Sequence, residues 1–135
     1  MKKFSLSKSE RVKQKKDFQK IYLKGKTLYS SKNKLKVIYY YESSLDQNGV
    51  KAAFVVSRKS GNAVWRNRIK RLLRESYRQN KHELLELSYS KNLLIFLSFS
   101  PGSFNQRVNR VVKLDFIRED FIELLEIIKK KIDNE

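Results

Sequence analysis

Eight cations, Arg58, Lys59, Arg66, Arg68, Lys70, Arg71, Arg74 and Arg78, stand between Arg58 and Arg78 against one acid, Glu75. Three would keep a surface helix soluble, roughly the charged share of an ordinary surface. At about 100° per residue, Asn67, Lys70, Arg71, Arg74 and Arg78 fall in one sector of about 100°. Ile69, Leu72, Leu73 and Tyr77 form the apolar stripe and face away from it. This spacing predicts a helix with a core face and a phosphate face. Arginine suits the second role, because its planar fork can hold two phosphate oxygens and also stack on a base. Gly61 and Asn62 make a turn just before the helix, and at positive φ they would aim the helix-start amides at an anion.

Side chains for covalent catalysis are scarce. The chain has no cysteine, which excludes disulfides and thiolate zinc sites, and one histidine, His82, in the polar stretch "QNKHELLEL" with no evident partner. His82 reads as an ordinary surface or boundary residue. Carboxylates remain as metal ligands, but they are poorly placed for a self-sufficient Mg²⁺ nuclease. Asp46 sits in a turn, Glu75 is expected to pair with Arg71 at i, i+4, and Glu119, Asp120, Glu123 and Glu126 belong to a terminal helix. Neither catalytic residues nor protein metal ligands are expected.

A second feature is aromatic: Phe18 and Tyr22 lie one turn apart, and Tyr39, Tyr40 and Tyr41 are consecutive. Such residues can be core, but beside basic grooves aromatic faces also grip single strands by stacking on bases.

The whole chain shares the charge. Its 135 residues carry 31 Lys and Arg against 14 Asp and Glu, a net charge of +17. That self-repulsion costs the compact state stability, and a polyanion is the natural partner. Nucleic acid is favoured over an anionic membrane, since no lipid anchor signal or isolated amphipathic anchor is evident. Residues 1–16 lack the apolar run of a signal peptide, and no stretch approaches about 18 uninterrupted apolar residues. A cytoplasmic protein with no membrane partner and no small-molecule substrate is expected.

One domain, 1–135, should position these residues. Residues 1–15 read as a basic arm. Phe18, Ile21 and Tyr22 mark a helix over about 16–24, stopped by Gly25. A weak strand is expected around 27–31, and a strand with period two begins at Leu35. "KAAFVVS", Lys51 to Ser57, is nearly continuous in apolar character and predicts a central strand with both faces covered. A helix over about 64–80, a helical turn at "HELLELS" and a buried strand over 92–100 follow, forming a crossover unit. The tail, 110–135, holds an amphipathic helix from Leu114, with its acids early and its lysines late, as the helix dipole favours. The flanking strands fit a helix-turn-helix DNA binder badly. A non-enzymatic RNA-binding module such as a ribosomal protein would need the same charge.

The run "FVVSRKSGNAVWRNRIKRLLRESYR", Phe54 to Arg78, resembles the protein component of bacterial ribonuclease P, and "KDFQKIYLKGK" is similar to that family's Asp-Phe segment. The likeness spans about residues 10 to 100. It implies an α/β (α+β) two-layer sandwich on a mixed central sheet, in the order α-β-β-β-α-β-α, with an aromatic-lined cleft and an unusual left-handed β-α-β crossover against the usual rule. It also implies a ribonucleoprotein that removes the 5′ leader from precursor tRNA by Mg²⁺-dependent phosphodiester hydrolysis. In that family the RNA subunit is the catalyst and, with the substrate, holds most of the Mg²⁺, while the protein binds that RNA and the leader. Carried over by position, Arg58, Lys59, Asn62, Arg66, Asn67, Arg68, Lys70, Arg71 and Arg74 would face the catalytic RNA. Phe18 and Tyr22 would meet the leader, and the third cleft position falls on Ile38, Tyr39 or Tyr40, with Tyr39 the assigned residue. The sequence departs from the family pattern at Lys51-Ala52-Ala53, where Arg-x-Gly is usual, at Arg58, which replaces a lysine, and in "IFLSFS", which lacks a following basic residue.

Overall fold

A computed structural model of the chain describes residues 10–134; most of the expected basic arm, residues 1–9, lies outside them. The elements are α1 (Lys15–Lys24), β1 (Lys26–Tyr29), β2 (Leu35–Ser43), β3 (Gly49–Phe54), a 3-10 turn (Arg58–Ser60), α2 (Ala63–Asn80), α3 (His82–Ser90), β4 (Leu93–Pro101) and α4 (Leu114–Asp133). The expected helical turn at "HELLELS" is thus a helix in its own right.

The four strands form one mixed sheet in the order β1-β2-β4-β3. β2 runs antiparallel to β4 from Leu35↔Pro101 to Ser43↔Leu93. β3 runs parallel to β4 from Gly49↔Leu94 to Phe54↔Phe99. Parallel neighbours need a long crossover, and α2 with α3 supplies it.

One expectation reverses here. β3, read as central, is an edge strand, and β4 is interior. Both runs are apolar enough for an interior place, so composition could not rank them. β3 is covered by other means: α3 packs against it, and residues 11 and 12 run along its outer edge, with an Arg11–Ala52 bridge and Val12 N–H donating to the Ala52 carbonyl at 3.2 Å. Such cover blunts an exposed edge. Val12 is buried and the Lys81 ammonium pairs with Glu10 at 2.7 Å, so residues 10–12 of the expected arm are packed.

Most of the core lies between one sheet face and α2, α3 and α4. Alternation along β2 sends Leu35, Val37 and Tyr39 to that face. Phe99 sits at its centre, stacked on Phe121 of α4 at 4.3 Å between ring centroids and on Phe54 of β3 at 6.1 Å. The sandwich therefore has the expected sheet and helical layers, and α1 adds a partial third. On the opposite face Ile21 of α1 is fully buried against Phe96, Leu94, Val12 and Ala53. Two ion pairs fasten α1 there, Lys51–Asp17 at 3.8 Å and Lys20–Glu42 at 3.3 Å. α1 ends where Gly25 turns extended at φ −73 and ψ 158, and glycine is needed there because a Cβ would lie 2.3 Å from the Ile21 carbonyl oxygen.

Phe99→Ala should cost about 3–5 kcal/mol in urea unfolding, the usual range for emptying a buried aromatic site. Leu45→Ala, at an exposed position, should change stability by less than about 0.5 kcal/mol.

Candidate nucleic-acid interface

α2 begins at a cap. The Asn62 side-chain oxygen accepts the Trp65 amide at 2.9 Å, satisfying a helix-start donor. The Asn62 amide itself donates to the Gln106 side chain at 2.8 Å. Neither residue of the turn has positive φ: Gly61 is extended at φ 170 and Asn62 is at φ −75. Glycine is required for a different reason. A Cβ at Gly61 would stand 2.7 Å from the Trp65 ring and 2.8 Å from Gln106.

The core stripe of α2 is Trp65, Ile69, Leu73 and Tyr77, each buried and four residues apart, with Leu72 only half-buried at its margin. Trp65, which the expected stripe of Ile69, Leu72, Leu73 and Tyr77 did not include, belongs to the core. Its ring meets Phe104 edge-on at 5.9 Å, and its indole N–H donates to the Asn109 carbonyl at 2.9 Å, the partner that a buried indole needs.

On the other face Asn67, Arg71 and Arg74 are exposed and Lys70 is half-buried; Arg58 and Lys59 are exposed on the preceding turn. Among the described residues no carboxylate pairs with Arg58, Lys59, Arg66, Lys70, Arg71 or Arg74. The Arg66 Nε is buried without a hydrogen-bond partner. Arg68 differs from these: its Nε and Nη2 donate to the Val112 carbonyl at 3.1 and 3.0 Å, tying α2 to the loop before α4. Glu75 pairs with Arg78, not with Arg71 as expected, and also accepts from Gln79 at 3.0 Å. The hydrogen bond from Arg78 holds the Glu75 carboxyl below its usual range. This acid therefore leaves Arg71 and Arg74 free.

Beside α2 the aromatic residues of α1 overhang the sheet. Phe18 and Tyr22 stack with ring planes 13° apart and centroids 6.3 Å apart, and Tyr22 is 53% exposed with its hydroxyl 3.4 Å from Ser98 Oγ. Tyr39 is not with them. It is 2% exposed on the opposite face, because strand alternation sends it the way of Val37. The β2 residues on the α1 side are Ile38 and Tyr40.

Two shallow grooves flank the stacked pair. One, of about 200 Å³, runs past Phe18 between Arg11 and Arg74; the other, of about 290 Å³, runs past Tyr22 and Ile38 to Lys36 and Ser100. Val55 lines both and joins them. Sequence reasoning missed Arg11, Lys36 and Val55. Lys36 had a usable signal, since it shares parity with Ile38 on a strand of period two. Among the described residues no three His, Asp or Glu side chains converge as a metal site, and no helix is long and apolar enough to cross a membrane. Phosphates fit the cationic face of α2, and the bases of a single strand fit the aromatic cleft beside it.

A family model described as Ribonuclease P matches residues 6–114. The ribonuclease P protein component of Alkaliphilus metalliredigens is 40% identical over 76 residues, covering 56% of this chain and 64% of that protein, so the match spans just under two-thirds of the relative's length. That of Petrotoga mobilis is 34% identical over 117 residues, covering 82% and 92%. The solved ribonuclease P protein of Staphylococcus aureus superposes with a TM-score of 0.67 at 26% identity, covering 89% of this chain and 95% of the other.

The arginines should divide by role. Arg71→Ala with Arg74→Ala should weaken RNA binding and flatten its salt slope by about 1 per arginine, with an unchanged circular dichroism spectrum and melting temperature. Arg68→Ala should lower stability by about 1–3 kcal/mol, as its charged hydrogen bonds to a main-chain carbonyl are lost.

Proposed function

The chain belongs to the ribonuclease P protein family, and on that premise we propose that it is the RNA-binding subunit of a ribonucleoprotein that cleaves the 5′ leader from precursor tRNA. The observation that carries this reading is one continuous surface: the face of α2 on which Arg71 and Arg74 have no carboxylate partner among the described residues borders a groove that reaches Phe18 of the stacked pair. Arg74 lines that groove from the α2 side.

In this reading the exposed cations of the Arg58–Ser60 turn and α2 hold the catalytic RNA through its phosphates. Asn62 and Arg68 act indirectly, by capping α2 and tying it to its neighbouring loop. Two polyanions, catalytic RNA and substrate, repel each other when they meet. A protein of charge +17 placed between them removes part of that repulsion, work that otherwise falls to added Mg²⁺. Mg²⁺ would supply the charge stabilisation for phosphodiester hydrolysis, held mainly by RNA and substrate phosphates; among the described residues no three His, Asp or Glu side chains converge.

The cleft distinguishes precursor from product. A leader base stacked on Phe18 or Tyr22 contributes about 1–3 kcal/mol, and mature tRNA lacks the leader. Only the precursor gains that term. We infer a cytoplasmic location, with precursor tRNA as the substrate.

Reconstitution with the ribonuclease P RNA should allow precursor cleavage at Mg²⁺ concentrations where that RNA alone is inactive; no gain over RNA alone would sink the proposal. Phe18→Ala should weaken binding of precursor tRNA to the reconstituted particle by roughly 5- to 150-fold, the equivalent of that stacking energy. Binding of mature tRNA should not change, and an equal loss for both would remove the leader role.

A further inference from the structure

The loop between β4 and α4 carries cations and exposed apolar side chains, yet it is held firmly. The Gln106 amide donates to the Ser60 carbonyl at 2.7 Å, and its side chain accepts the Asn62 amide at 2.8 Å. Farther along, the loop carbonyls of Asn109 and Val112 accept from Trp65 and Arg68. Phe104 and Val112 are buried at its two ends. A loop anchored at so many points could have turned its valines inward. Instead Val108 and Val111 are 75% and 74% exposed, between the exposed Arg107, Arg110 and Lys113.

Between this loop and the Arg58–Ser60 turn lies a groove of about 550 Å³, lined by Lys59, Arg107 and Arg110 and by no carboxylate. Ser60 lines both this groove and the one beneath Tyr22. Three cations without a counter-charge among the described residues mark a place for a phosphodiester backbone. Its continuity with the cleft indicates which strand would lie there.

We propose that the β4–α4 loop extends the single-strand track. Leader nucleotides beyond those stacked on Phe18 and Tyr22 pass Ser60, and their phosphates are held by Arg107 and Arg110, with Val108 and Val111 against the sugars and bases. This rests on the leader-binding reading above and adds a prediction that reading lacks: affinity depends on leader length through this loop.

The test uses the holoenzyme reconstituted with ribonuclease P RNA and a series of precursor tRNAs whose leaders lengthen from two nucleotides to about a dozen. Wild-type affinity should rise along the series. Arg107→Ala with Arg110→Ala should leave the short-leader affinity unchanged and abolish the later part of the rise. For the longest leader, loss of two single-strand phosphate contacts should flatten the slope of log affinity against log salt by about 1.4. Both arginines are exposed, and an unchanged melting temperature verifies the fold. Equal loss at every leader length, or weakened assembly with the RNA subunit, would assign the loop to the catalytic RNA and overturn the track. An unaltered length dependence would overturn it as well. Failure of the wild-type particle to favour precursor over mature tRNA would instead strike the underlying reading.

Discussion

The seating of α2 against the sheet is the contact on which the rest depends. Trp65, Ile69, Leu73 and Tyr77 bury one side of a helix whose other side carries Lys70, Arg71 and Arg74, which have no carboxylate partner among the described residues. Apolar burial of this kind contributes roughly 1.5–3 kcal/mol per large side chain, enough to hold a helix whose charges repel one another. Asn62 supplies the cap, and Gly61 lets Trp65 and Gln106 approach the turn. These local devices fix the direction in which the arginines leave the surface.

The acids are distributed in keeping with that arrangement. Glu10, Asp17, Glu42 and Glu83 pair with Lys81, Lys51, Lys20 and Lys129, away from the exposed face of α2. Glu75, the one acid on α2, is taken up by Arg78 toward the helix end. The pairs at Asp17 and Glu42 also fasten α1 to the sheet, which places Phe18 and Tyr22 over the groove. Neutralising charge where elements must be joined, and leaving it on the face proposed to meet RNA, divides one composition between stability and function. The ion pairs with exposed partners contribute little individually; their placement matters more than their number.

Much of this was legible in the residues. The helical stripe and the cationic sector of α2 follow from a period of 3.6, and the strand at Leu35 from a period of two. Family likeness rested on the same run. The errors came where a local pattern has two tertiary solutions. Both "KAAFVVS" and "NLLIFLSFS" can be interior, and the second took the centre, because it has a partner on each side while the first is covered by residues 11–12 and α3. Tyr39 and Tyr40 are equally aromatic, but neighbouring strand residues point to opposite faces, and only Tyr40 shares the face of α1.

By itself, then, the sequence determined which residues share a face and that the face of α2 is cationic, because periodicity and charge are properties of short stretches of chain. Only the tertiary structure decided which neighbour each face meets. It turned Arg68 to a carbonyl 44 residues away, put Gln106 against the turn at Gly61, and drew Arg107 and Arg110 alongside Lys59. No periodicity spans such separations. Those contacts depend on how the crossover from β3 to β4 brings the loop before α4 back onto the start of α2, a matter of topology that local preference does not encode.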